Sequence, residues 1–465
     1  MLNKEQYRKN ASSTAYSSDT SRSNAIRNKT LIRSIKTTHK IISFNLITQQ
    51  SIKKLYMQLS SFSYNDEKRM IDLTQYHVVD DHCHAFLMEK LAGPKGTWMG
   101  KQGFETQLCL SALPIQGLHL KNTILYRKVV TELGRVLGCS NEFEKILERR
   151  REQLKSNAQK YTSTLLSEAK INTLIVDTGF PSEEFTGYSV PVKEFQRIVG
   201  CDVKSLYRIE PTIYSLFQAS LTFKDFLEKY KSSLDAAIKK DGHIGFKSIV
   251  AYIYGLDIHK TDESTARDVY RNLKKKKALS LPMTKKTAKV IQEEKALRDY
   301  LVCLAIEKSI KFDIPFQLHT GFGDSPILDL RKANPANLYE ILIDEDLGKA
   351  KIVLVHSGYP YVEEAGFLAN GYPNVYIDLS EMIPYVTIGM KEKIHALFEM
   401  APTTKIMYGS DAHIPELYWI SAIWGRKAVS GALQQLVDSE AIDEDYAYKA
   451  GRMILSKNAE KLYKL

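Results

Sequence analysis

Val78-Val79-Asp80-Asp81-His82-Cys83-His84 reads as a short apolar strand ending in two histidines one residue apart. Side chains alternate faces along a strand, so the spacing predicts Asp80, His82 and His84 on one face and Cys83 on the other. Two imidazoles side by side at a strand end can grip one metal ion.

Seven more β-branched runs follow, separated by helical stretches. They are residues 173–179, 205–209, 244–254, 315–321, 351–358, 375–380 and 405–411, which with 78–80 make eight. Eight strands alternating with helices predict an α/β fold, a (β/α)8 TIM barrel. An open doubly wound sheet would be expected to carry a Gly-rich phosphate turn after its first strand. Here histidines follow that strand, and no G-x-G-x-x-G occurs. The first connection, about 85–170, is far longer than a barrel needs. Tyr126, Val129, Val130, Leu133, Val136 and Leu137 recur in it at helical spacing, so a helical insertion between strands one and two is expected to cap the mouth. The Lys274–Lys277 run in the second long link reads as a solvated helix face.

Strand ends carry the polar residues. The first ends in His82 and His84, the fifth in His319, the sixth in His356 and the eighth in Asp411. A closed barrel turns all of these into one C-terminal mouth, where barrel enzymes build their sites. Imidazoles with a carboxylate suit zinc, iron or manganese, as one ion or two. His82, His84, His319 and Asp411 would supply four ligands. His356 would complete the site or polarise a substrate carbonyl. Asp411 could take a proton from water and pass it to a leaving group. Lys247, on strand four, has three readings: a carboxylated bridge between two metals, a partner for an anionic substrate, or a lysine snorkelling from the strand's start.

Composition bounds the rest. Hydrophobic content of 44% and charged content of 26% are those of an ordinary globular protein. Of the net charge of +11, most lies in residues 1–69, with 13 Lys+Arg against 4 Asp+Glu; residues 70–465 hold 52 against 50. The body therefore lacks the field that nucleic-acid binding needs. Residues 1–69 read as a basic, disordered extension before a body beginning near Met70. Their Arg- and Ser-rich, acid-poor opening also has the composition of an organelle presequence. No run of eighteen apolar residues predicts a membrane span. Five cysteines at 83, 109, 139, 201 and 303, without C-x-x-C, predict no disulfide framework and a cytoplasmic, reducing setting.

These motifs resemble the amidohydrolase superfamily. The branch they resemble is the amidohydrolase-related one that includes proteins fused to, or encoded beside, glutamine-synthetase-like domains. The resemblance runs from about 70 to 465. It is carried by Asp80-Asp81-His82-Cys83-His84, Leu174–Phe180, Gly245-Phe246-Lys247-Ser248-Ile249, Phe316–Asp324, Leu328–Pro335, His356–Pro360 and Gly409-Ser410-Asp411-Ala412-His413. It implies a metal site at His82, His84, His319 and Asp411 with His356 near it, and hydrolysis of a C–N bond. Decarboxylases and isomerases share the scaffold. A metal-dependent decarboxylase is thus one alternative, and a barrel retired from catalysis into a binding partner is another. Arg331 is expected as a carboxylate clamp, Asp324 as its orienting partner or a substrate contact, and Glu416 as a lining residue. The expected partner is a small carboxylate-bearing, γ-glutamyl-like molecule. Self-association and a functional link to a glutamine-synthetase-like protein stay open.

Overall fold

The computed structural model describes residues 70–87, 104–105, 107–110, 117–277, 279 and 287–465. The expectations for residues 1–69, and for 88–103 within the insertion, lie outside the described residues.

Eight parallel strands form one sheet: β1 Val78–Cys83, β2 Ile171–Asp177, β3 Asp202–Arg208, β4 Gly245–Ser248, β5 Phe316–His319, β6 Ile352–Val355, β7 Val375–Asp378 and β8 Ile406–Met407. Each pairs in parallel with the next in sequence. Backbone bonds join the last to the first: Asp81 N donates to the Tyr408 carbonyl at 3.1 Å, Asp411 N to His82 at 2.8 Å and His84 N to Ala412 at 3.0 Å. The sheet is thereby a barrel, and its last bonds are made by the residues that carry the histidine pair.

The strands are apolar on both faces because both are covered, as parallel sheets require. Val79, Ile175, Leu206, Val353, Val355 and Met407 fill the interior, closed by Ala459, Leu462 and Tyr463 near the C-terminus. Their strand neighbours Val78, Leu174, Val176, Ile352 and Leu354 belong instead to the large outer core. Burying each such side chain contributes about 1.5–3 kcal/mol.

Two sequence expectations need correction. The β1–β2 register shifts between Asp80 and Cys83. The extra residue breaks strict alternation, as a bulge does. Cys83 faces the outer core, as expected, with its Sγ 3.6 Å from the Ile175 carbonyl, while Val79, which strict alternation would put on the same face as Cys83, faces the interior. Asp80, however, does not join His82 and His84: its carboxylate accepts from Ser410 N at 2.9 Å and from Ser410 Oγ. The fourth strand also stops at Ser248 and does not run on to Tyr254. Buried Glu210 accepts from Ser248 Oγ and from Ile249 N at 2.9 Å, and the chain turns into a 3-10 helix at Val250–Tyr252.

The insertion contains α1, Ile124–Leu137, and α2, Phe143–Glu168. Thr123 caps α1 by accepting from Tyr126 N, Gly138 ends it at φ 63°, and Tyr126, Val129, Val130 and Leu133 are buried. Residues 107–110 reach the loops at the mouth: Ser325 N donates to the Leu110 carbonyl at 3.0 Å and Tyr385 OH to that of Gln107. The lysine run closes α3, Glu263–Lys276; Lys275–Lys277 are exposed, and Lys274 Nζ donates to the Phe217 carbonyl at 2.8 Å.

Candidate metal centre

The strand ends converge as the barrel requires. Asp411 Oδ1 lies 3.1 Å from Nε2 of both His82 and His84. His356 Nε2 lies 3.0 Å from His319 Nδ1, and Lys247 Nζ lies 3.3 Å from His82 Nε2. Donor atoms of His82, His356 and Asp411 lie within 4.8 Å of one another; so do those of His82, His84 and Asp177, and of His84, Asp411 and His413. His356, Glu381 and Asp411 hold φ of 70°, 58° and 55°. That left-handed region costs non-glycine residues of order 1–3 kcal/mol each, and such strain collects at functional sites.

His84 Nδ1 faces the Phe180 carbonyl at 3.0 Å, which can only accept. Its hydrogen is therefore on Nδ1, and Nε2 turns a lone pair toward Asp411 Oδ1. The second pair repeats the pattern. Ser380 donates its hydroxyl hydrogen to Asp378, so it accepts from His356 Nδ1 at 2.9 Å. His319 Nε2 donates to the Phe322 carbonyl at 3.0 Å. His319 Nδ1 and His356 Nε2 then face each other as lone pairs. Only an added cation, a proton or a metal ion, reconciles such contacts. Burial, then Lys247 for His319 and the neighbouring His319 for His356, holds both rings well below the ordinary imidazole range. A proton is thus disfavoured there. The donor set, imidazole nitrogens with a carboxylate and with the outer ring nitrogens of His84, His319 and His356 each fixed by a hydrogen bond, fits a divalent metal, although His82 Nδ1 is buried without a partner.

The charges around it follow from burial. Burial and Lys247 lower His82. Burial pushes the Asp411 carboxyl up, but the adjoining His82 and His84 rings hold it well below the usual range. Burial lowers Lys247 to about 8. Beneath the site, burial and the Asp378 carboxylate push Asp81 well up. Gly409 permits that approach, since a Cβ there would lie 2.1 Å from Asp378 Oδ2 and 2.8 Å from Asp81 Oδ1.

The family model described as amidohydrolase matches residues 291–465, which take in β5–β8 with His319, His356 and Asp411. Over that stretch the chain is similar to the amidohydrolase family. Protein fluG of Emericella nidulans is 33% identical over 253 residues, 52% of this chain. The chain spans only 28% of that relative's length. Among solved structures, a Lactobacillus casei protein provisionally assigned as a metal-dependent hydrolase superposes with a TM-score of 0.73 at 24% identity, over 85% of this chain and 98% of that one. The uronate isomerase of Thermotoga maritima gives 0.58 at 16%, over 85% and 95%. At these identities the structural likeness speaks for the fold.

Within this barrel the expected residues fare unequally. His82, His84, His319, His356 and Asp411 come together. Lys247 joins them, fully buried, which removes the snorkelling reading. His356 cannot polarise a carbonyl by donating to it, because its N–H is committed to Ser380. Asp324 lies in the mouth loop after β5, and its N–H donates to Tyr252 OH at 3.0 Å. Arg331 is misplaced by the sequence reading: its side chain is 87% exposed and bound to Asp329 at 2.9 Å. The short 3-10 turn at Leu330–Ala333 carries it outward. Glu416 does not line the mouth either. It is buried at the start of α4, Pro415–Asp438, where its carboxylate accepts from Arg150 Nε at 2.5 Å and Tyr161 OH at 2.9 Å. It ties α2 of the insertion to the helix after β8.

Three residues escaped assignment. Asp177 ends β2 as the other site residues end theirs, and that signal was available in the sequence. His413 stacks on His84 with centroids 4.3 Å apart, and burial followed by His84 lowers it to about 3. Arg208 ends β3 in the same way and binds Asp177.

Proposed function

We propose that this protein is a metal-dependent hydrolase acting on an amide-like C–N bond of a small carboxylate-bearing molecule. The observation that supports it most is the facing pair His319 Nδ1 and His356 Nε2, 3.0 Å apart with both outer hydrogens committed elsewhere. His82, His84, Asp411, His319 and His356 would hold the metal, with zinc the first choice for this N/O set and iron or manganese compatible with it. When bound, a divalent cation supplies Lewis-acid chemistry, polarising a carbonyl oxygen and acidifying water.

The chain's own residues supply the rest. Asp411 is the most open of the group, 15% exposed against 1% for His82. Held ionised, it can accept a proton from the attacking water and return it to the leaving nitrogen. His84 and His356 are kept in their acceptor tautomers by the Phe180 carbonyl and Ser380. Lys247 adds a positive charge beside His82, or a bridge to a second ion if carboxylated.

The test is metal analysis of the purified protein beside Asp411→Asn and His319→Ala, then a screen of amides for released amine and carbon dioxide. Stoichiometric transition metal lost in both variants, with amine release by the parent, is expected. A parent without stoichiometric metal would refute the site. Carbon dioxide without amine would place the chain with decarboxylases.

A further inference from the structure

Arg208 is 6% exposed and lies at the end of β3. Its Nε donates to Asp177 at 2.8 and 3.1 Å, and its Nη2 donates to Asp177 Oδ2. That uses one edge of the guanidinium. Five N–H donors in a planar fork leave a second edge, Nη1 with the outer hydrogen of Nη2. Nη1 has no protein partner among the described residues and is not sealed from solvent. The side chain is held flat: a Cβ at Gly179 would lie 2.2–2.7 Å from Arg208 Cβ, Cγ and Cδ. Its anchor belongs to the site, since an Asp177 oxygen lies within 4.8 Å of donor atoms of His82 and His84.

We propose that the open Nη1–Nη2 edge of Arg208 receives a carboxylate of the substrate and fixes it beside the metal centre. The proposal rests on the hydrolase reading above and gives the carboxylate the receptor that Arg331 does not provide. A buried guanidinium already paired on one edge carries no uncompensated charge, and it offers the other edge without reorganising. Bidentate recognition of a carboxylate is the task that geometry suits.

The probe is glutarate, compared with its neutral isostere glutaramide, in calorimetric titrations of zinc-loaded and metal-free protein. Glutarate is expected to bind both forms, with glutaramide at least about tenfold weaker. Arg208→Met should weaken glutarate about a hundredfold and Arg208→Lys about tenfold, the range of a charge-assisted hydrogen-bond pair, while zinc content stays that of the parent. Phenylglyoxal labelling of the parent, read by peptide mass mapping, needs no variant to fold: glutarate should protect Arg208 and glutaramide should not. Equal affinity for the two probes, no binding of glutarate, unchanged affinity in a zinc-containing Arg208→Met protein, or absent protection would overturn the proposal. Protection of Arg208 in a protein that binds no zinc would support it while failing the metal reading.

Discussion

Asp411→Asn separates the two things a buried carboxylate can do. In the parent, Asp411 Oδ1 sits 3.1 Å from both His82 and His84 Nε2, and His84 has its hydrogen on the far nitrogen. Asparagine is the same shape and tolerates the φ of 55° at this position. Its amide can donate to the His84 Nε2 lone pair that the carboxylate opposes. The metal-free variant should therefore stay within about 1 kcal/mol of the parent, the size of one net hydrogen bond. Metal binding should suffer instead. At zinc a hundredfold above its dissociation constant, the parent gains about 2.7 kcal/mol. If the lost charge weakens zinc about a hundredfold, the same zinc gives the variant only about 0.4 kcal/mol. Urea unfolding of both proteins, with chelator and with zinc, reads all four numbers. A zinc-dependent gain that survives in the variant refutes the ligand role. A loss of about 3–5 kcal/mol in chelator, the cost of breaking a buried ion pair, would make Asp411 a structural counter-charge.

Two further outcomes are expected. Burial holds His413 at about 3, so between there and the unfolded value near 6.5 the unfolded chain binds the extra proton and stability falls with falling pH; relative to His413→Gln, the metal-free parent should lose about 2 kcal/mol on going from pH 7 to pH 5, and parallel unfolding curves would contradict the buried neutral ring. Ser380→Ala removes the hydroxyl that accepts from His356 Nδ1 at 2.9 Å, leaving the main-chain carbonyl of residue 380 at 3.3 Å, and should weaken zinc about tenfold in competition titrations, the lower end of the usual cost of removing a group that orients a ligand; unchanged affinity would remove the Ser380 hydroxyl from that role.

The sequence reading was good where one residue's position along a strand decides the matter. His82, His84, His319, His356 and Asp411 were legible because each stands at the end of a β-branched run, and parallel barrel strands all end in one mouth. It was poorer wherever the backbone departs from regular spacing. Asp80 left its expected face through a register shift that no period-two pattern records. Val250-Ala251-Tyr252-Ile253 is apolar enough to continue strand four in the sequence; Glu210, 38 residues from Ser248 in the chain, turns it aside. Chemistry and nearness in sequence to the strand ends point Arg331 and Glu416 toward the site. Local turns and helix packing sent one to solvent and the other into the core.

By itself, then, the sequence determined the eight-strand order, the mouth and the identity of the convergent donors, because strand period and strand ends are local properties. Only the tertiary structure decided which lone pairs face each other, that Lys247 is buried among them, and that Arg208 is anchored on Asp177 while Arg331 stands in solvent. Those facts depend on contacts between strands dozens to hundreds of residues apart, where side-chain direction is set by packing and by the hydrogen bonds each buried polar group must find.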